Sequence, residues 1–238
     1  MSRITERELA ATIDHAILKP EFTRADVDAE LDIAAQWGVF SVCVRPSDIP
    51  YAVKRLDGTG VAVGTVIGFP HGTTSTTAKV AETIRAFEDG ATEFDMVINI
   101  GALRSGFDDV VVDDIRAVVD AAAGKITKVI LETSLLDDEQ IARGSRLTEA
   151  GGADFVKTST GFAGGGATVE HVRLMRASVG ERVQVKASGG VRSLETALQM
   201  LDAGATRLGT SASATILGSL RAELDGREGA STVDETSY

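Results

Sequence analysis

Four times along this chain a helical pattern ends on glycine and runs at once into an apolar, strand-like segment, at Gly38, Gly90, Gly152 and Gly204. Glycine at the end of a helix takes up the left-handed conformation that closes the last turn, because it has no Cβ to clash. The recurrence predicts a chain that alternates helix and strand with almost no linker. Completing the series by apolar periodicity gives strands at 11–18, 39–44, 61–68, 92–99, 127–133, 153–158, 183–187 and 206–209. Helices are expected at 24–37, 46–57, 76–89, 107–123, 138–150, 168–179, 193–203 and 211–223. Residues 137–140 have the form of a capping box, and Ser193 stands where the next helix needs a cap. Strands that alternate with helices pair in parallel, and eight such units close on themselves. The expected fold is therefore α/β: a single-domain (β/α)8 TIM barrel over residues 1–225, with a short N-terminal helix. An open, doubly wound sheet is the alternative, but it gives no reason for chemistry at the ends of so many strands.

From residue 226 the pattern stops, and residues 226–238 read as a flexible acidic C-terminal tail ending in Tyr238. A frayed terminus is the default reading. The other is a tip that folds over the barrel mouth and offers its phenol to a site there.

Composition narrows the functions open to such a barrel. With 238 residues, 43% of them hydrophobic and 25% charged, the chain can bury one sizeable core. A net charge of −11 argues against a nucleic-acid partner. It leaves room for a phosphorylated small molecule, because helix N-termini bind phosphate without net positive charge. Cys43 is the only cysteine, so no intrachain disulfide can form, and no apolar stretch approaches membrane-spanning length. The first residues lack the apolar core of a signal peptide, so a cytoplasmic protein with no membrane partner is expected.

The chain uses lysine sparingly, seven against 17 arginines, yet Lys157 and Lys186 each end a short apolar run that reads as buried strand. An ammonium desolvated beside a second cation loses proton affinity and becomes a usable amine nucleophile, the requirement of Schiff-base chemistry. Strand alternation sorts their neighbours. Phe94, Met96 and Ile98 suit the helix layer, leaving Asp95, Val97 and Asn99 inward; Phe155 shares a face with Lys157, Gln184 shares one with Lys186, and Asp14 falls opposite His15. In a barrel, Asp95, Lys157 and Lys186 would converge at the C-terminal mouth. A structural ion pair would balance its charges, whereas one carboxylate against two lysines leaves a surplus cation. Two ammonium groups about 6 Å apart repel by ~3 kcal/mol at an effective dielectric of about 20, worth ~2 pKa units.

Glycine-rich stretches at 161–168, 188–190 and 209–213 each precede a helix on the same face, and their N–H groups could cradle a phosphate. His15, His71 and His171 lie in different units without metal-ligand spacing, so no metal is expected. Cys43 reads as a small buried hydrophobe near the mouth.

The segments IDHAILKP (13–20), VIGFPHG (66–72), EFDMVINIGAL (93–103), FVKTSTGF (155–162) and VKASGGVR (185–192) together resemble the deoxyribose-phosphate aldolase family. The resemblance spans nearly the whole chain, with the motifs in family order. It implies a class I aldolase that interconverts 2-deoxy-D-ribose 5-phosphate with D-glyceraldehyde 3-phosphate and acetaldehyde, without cofactor. It makes Lys157 the Schiff-base lysine, Lys186 the lysine that lowers its pKa, Asp95 the acid/base partner acting through water, and Asp14 a supporting residue. Gly189, Gly190, Gly209 and Ser211 would hold the phosphate. Ala16 and Ala212 depart from the family pattern, where threonine is usual and a second serine common, and each removes a hydroxyl. The rival readings are another phosphosugar aldolase, a phosphosugar isomerase with no covalent adduct, and a barrel that only senses a phosphosugar. For assembly a homodimer is the expectation.

Overall fold

A computed structural model of the protein describes residues 4–227. All but the first two residues of the expected tail, Tyr238 included, lie outside the described residues. Eight strands pair in parallel and in chain order around a closed barrel. They are β1 (Ile13–Ile17), β2 (Ser41–Val44), β3 (Ala62–Ile67), β4 (Glu93–Val97), β5 (Ile126–Ile130), β6 (Phe155–Lys157), β7 (Gln184–Ser188) and β8 (Arg207–Thr210). Closure is made by β8 against β1, with His15 in register with Thr210. The helices are α1 (Glu6–Ala10), α2 (Arg24–Trp37), α3 (Ile49–Arg55), α4 (Thr76–Glu88), α5 (Ile100–Arg104), α6 (Asp108–Ala121), α7 (Asp138–Ala150), α8 (Val169–Ser178), α9 (Leu194–Asp202) and α10 (Ser213–Leu224). Among the described residues no helix is long and apolar enough to cross a membrane.

The local signals act as expected. Gly38, Gly90, Gly152 and Gly204 all have positive φ, between 59° and 109°. Asp137 and Gln140 form the capping box of α7, and the Ser193 side chain accepts the Thr196 N–H at the start of α9. Two segments differ. The helix expected over 46–57 opens as a 3-10 turn at Pro46–Asp48 before α3, with a proline at the start of each piece. The strand expected to reach Asn99 stops at Val97, because the Asn99 side chain accepts the Ala102 N–H and caps α5, a helix absent from the periodicity reading. Asn99 therefore serves as the cap of a helix instead of continuing the inward face of a strand.

The main core lies between barrel and helices, where Phe94, Met96, Ile98, Val156 and Val185 meet Leu31, Ile115 and Met175. Burial of each such side chain contributes roughly 1.5–3 kcal/mol. One charge crosses this layer. Lys79 of α4 is fully buried, and its Nζ donates to Val97 O at the end of β4 (2.8 Å) and to Asp114 Oδ2 of α6 (2.6 Å). Lys79→Met is expected to destabilise the fold by about 3–5 kcal/mol, because it leaves the buried Asp114 carboxylate with only the Thr76 hydroxyl and no cation. Adding Asp114→Leu should recover most of that loss in urea unfolding, and a Lys79→Met protein of unchanged midpoint would contradict the bracing role.

Candidate active site

Four successive strands each turn one cation into the barrel: Lys128 from β5, Lys157 from β6, Lys186 from β7 and Arg207 from β8. Parallel register makes Lys157 and Lys186 direct partners, and Lys186 and Arg207 likewise. The strands that flank this wall supply the carboxylates, Glu93 and Asp95 from β4 and Asp14 from β1. Asp95 sits at the centre. Its Oδ2 accepts from Lys157 Nζ (2.8 Å) and Lys186 Nζ (2.7 Å), and its Oδ1 accepts from Lys128 Nζ (2.8 Å). Lys186 Nζ also lies 2.6 Å from Asp14 Oδ2. Below them Lys128 Nζ donates to Glu93 Oε2 (2.5 Å), and Arg207 bridges Glu93 and Asp14.

The expectation that Asp95, Lys157 and Lys186 converge is met, and Asp14 joins them directly. The surplus-cation argument holds with different numbers. Among the described residues the strands bring three carboxylates and four cations inside, one cation too many. A further buried carboxyl, Glu132, lies past the end of β5 and is engaged by the N–H and hydroxyl of Thr160. The excess falls on Lys157. Burial, and then the neighbouring Lys186, push its ammonium below the usual lysine range, outweighing the pull of Asp95. Burial also opposes charge on Lys186, but Asp14 and Asp95 outweigh it and hold that ammonium more firmly than usual. Asp95 is buried too, yet Lys128, Lys157 and Lys186 keep its carboxyl well below the ordinary range. Two lysines on adjacent strands are thus shifted in opposite directions, set by how many carboxylates each touches.

Sequence reasoning missed Lys128, Arg207 and Glu93. Lys128 had a signal, since it too interrupts an apolar run, at 126–131, in a chain that uses lysine sparingly. Arg207 and Glu93 stand at or near strand starts, where a charged residue reads as a solvated end. Gln184, expected on the Lys186 face, is exposed at the first position of β7.

The mouth above these charges has two unlike sides. On the β1–β3 side Ala16, Leu18, Cys43 and Val66 form an apolar cluster with Phe69. It continues outward into a cavity of about 270 Å³ whose lining includes Phe69, Pro70 and Phe162. The Cys43 thiol is pushed up to about 11, by burial and then by Asp95. Ala16, the departure from the family pattern, belongs to this apolar side. On the β6–β8 side, Gly189 and Gly190 follow β7 with φ of 82° and 76°, and Ser211 follows β8. Gly209 lies within β8, where a Cβ would come within 2.8 Å of Ser188 Cβ and 3.2 Å of Lys186 Cε. Its missing side chain makes room for the Lys186 stem.

A closed parallel barrel with a buried, pKa-lowered lysine at the C-terminal ends of its strands defines an enzyme of the amine-nucleophile class. Residues 9–222 match the family described as DeoC/LacD family aldolase. The chain belongs to that family. It is 55% identical over 216 residues to the deoxyribose-phosphate aldolase of Staphylococcus haemolyticus, covering 91% of this chain and 98% of the relative. It is 56% identical, with the same coverage, to deoxyribose-phosphate aldolase 2 of Staphylococcus aureus. The solved structure of deoxyribose phosphate aldolase from Aeropyrum pernix, described as a tetramer, has a TM-score of 0.85 at 32% identity, covering 92% of this chain and 93% of that one.

Because Lys157 binds its proton more weakly in the folded state than at the ordinary 10.5, the unfolded chain carries the extra proton between the two values. Raising pH through that window should therefore stabilise the wild type relative to Lys157→Met, by up to about 1.4 kcal/mol per pH unit. Urea unfolding at a series of alkaline pH values reads this difference, and parallel curves would refute the lowered pKa.

Proposed function

We propose that the chain reversibly cleaves 2-deoxy-D-ribose 5-phosphate into D-glyceraldehyde 3-phosphate and acetaldehyde, through an imine on Lys157. The observation that carries this reading is the surplus cation, which leaves Lys157 as the amine most easily freed of its proton. Relatives more than half identical and named for this substrate class support the choice of sugar.

Neutral Lys157 attacks C1 of the open-chain sugar to give a carbinolamine. Lys186, held protonated by two carboxylates, protonates the departing hydroxyl, and water leaves an iminium. The carbon count fixes which bond breaks: a two-carbon aldehyde and a three-carbon phosphosugar require cleavage of C2–C3. As that bond breaks, its electrons pass to the iminium to form an enamine. The C3 hydroxyl proton leaves through a water and Asp95. Asp95 is too strongly stabilised as an anion to keep that proton, so it relays it to the now neutral Lys186. Lys186 then protonates C2 of the enamine, and hydrolysis frees acetaldehyde and returns the proton to Lys186. Asp14 keeps Lys186 charged between these steps. Gly189, Gly190, Gly209 and Ser211 form the phosphate side of the site, where remote binding energy orients the sugar. A homodimer is the proposed assembly.

Borohydride reduction in the presence of acetaldehyde, followed by peptide mapping, is expected to leave an ethyl group on Lys157. An adduct on Lys186 would exchange the two lysine roles, and the lack of any adduct on folded protein would return the isomerase and the sensor. Lys186→Met is expected to lower turnover at least about 10²-fold. It should also move the acid limb of imine trapping to higher pH, because Lys157 then loses the repulsion of Lys186 and no longer shares Asp95 Oδ2 with it. An unmoved limb would remove Lys186 from the control of Lys157.

A further inference from the structure

Strand β1 carries two polar residues back to back. Asp14 faces the interior charges, whereas His15, fully buried, faces the helix layer. His15 Nε2 lies 2.8 Å from Glu30 Oε2 on α2, and His15 Nδ1 lies 2.7 Å from the Oγ of Ser213, the first residue of α10. Facing a carboxylate, Nε2 carries a hydrogen and donates it. The Ser213 hydroxyl then donates to Nδ1 of a neutral ring or accepts from a charged one, so the link is made in either state.

The place this link reaches is the start of a helix that has no side-chain cap of its own. Side chains of Thr5, Thr23, Ser75, Asn99, Asp137, Thr168 and Ser193 cap α1, α2, α4, α5, α7, α8 and α9. At α10 the capping position is Ala212, which makes no such bond, as is also the case at α3 and α6. The turn from β8 into α10 is held from its flanks instead. Thr210 Oγ1 donates to Val191 O beyond β7 (2.6 Å) and accepts the Ala212 N–H (2.9 Å). On the other flank stands the Ser213–His15–Glu30 chain, and His15 is the register partner of Thr210. Both anchors therefore act on the short turn from the end of β8 into α10, which contains Ser211 and follows directly on Gly209 and Thr210.

We propose that His15, oriented by Glu30, is a positioning residue for this loop, setting the preference of the enzyme for phosphorylated over unphosphorylated sugar. The inference rests on the reading that the loop belongs to the phosphate side of the site. His15 touches no substrate; it lies behind the loop and acts through Ser213. An ion pair serving stability alone would affect every substrate alike, whereas a loop anchor affects the one that carries the phosphate.

The test compares kcat/KM for 2-deoxyribose 5-phosphate and for 2-deoxyribose in the wild type, His15→Leu, Ser213→Ala and the double variant, with thermal melting to confirm folding. Ser213→Ala serves as the second probe should His15→Leu fold poorly. The expected result is a preference for the phosphate ester reduced about tenfold in each single variant, with turnover of 2-deoxyribose within about twofold of wild type. The double variant should lose no more than either single one, because both break the same link. His15→Asn, which keeps a polar group near the Nδ1 position, should restore part of the preference. Proportional losses on both substrates, an unchanged preference in folded variants, or effects that simply add would overturn the proposal. A wild type indifferent to the phosphate would overturn the phosphate reading itself, and this inference with it.

Discussion

The Asp95 carboxylate accepts hydrogen bonds from ammonium groups on three successive strands, and it does so inside a closed barrel. There the attraction between opposite charges is much stronger than in water, and so is the penalty for any charge left over. The arrangement is stable only if nearly every cation finds a carboxylate. Asp14 and Glu93 satisfy Lys186, Lys128 and Arg207 between them, so Lys157 has only its share of Asp95. The lowered proton affinity of Lys157 is therefore a remainder. It is fixed by the pairing of all the other interior charges more than by anything special to its own neighbourhood.

This view changes what each supporting residue does. Arg207 and Glu93 make no bond to Lys157, but they hold Asp14 and Lys128 in place and so fix how much negative charge is left for the other interior lysines. Gly209 acts by volume alone, since any side chain there would crowd the Lys186 stem. Lys79 works from outside the barrel, tying the end of β4 to α6 two residues beyond Asp95.

Much of this was legible in the sequence because it follows from periodicity and local signals. Glycines at helix ends gave the alternation, and strand alternation correctly set Asp14 apart from His15 and placed Asp95 with Lys157 and Lys186. The legible part stopped where partners come from distant strands. Arg207 meets Asp14 across the closure of the barrel, a contact between residues at opposite ends of the chain that no local pattern announces. Helix α5 was hidden for a different reason: its five residues are too few to show a period, and Asn99 reads equally well as the last residue of a strand or the first cap of a helix. His15 carries no local signal of its role, because the serine and glutamate that give it direction lie on α10 and α2.

The division of the barrel mouth has a consequence for how such an enzyme can change. Strands β2 and β3 bring no charged side chain to the interior network, and the surface formed by Leu18, Cys43, Val66 and Phe69 is apolar. Exchanging Leu18, Val66 or Phe69 alters the shape of the apolar side without adding or removing a charge from the interior network. The shape of that apolar side and the proton affinity of the interior lysines can thus change as largely separate heritable traits, with β1 alone contributing to both, through Ala16 on one hand and Asp14 on the other.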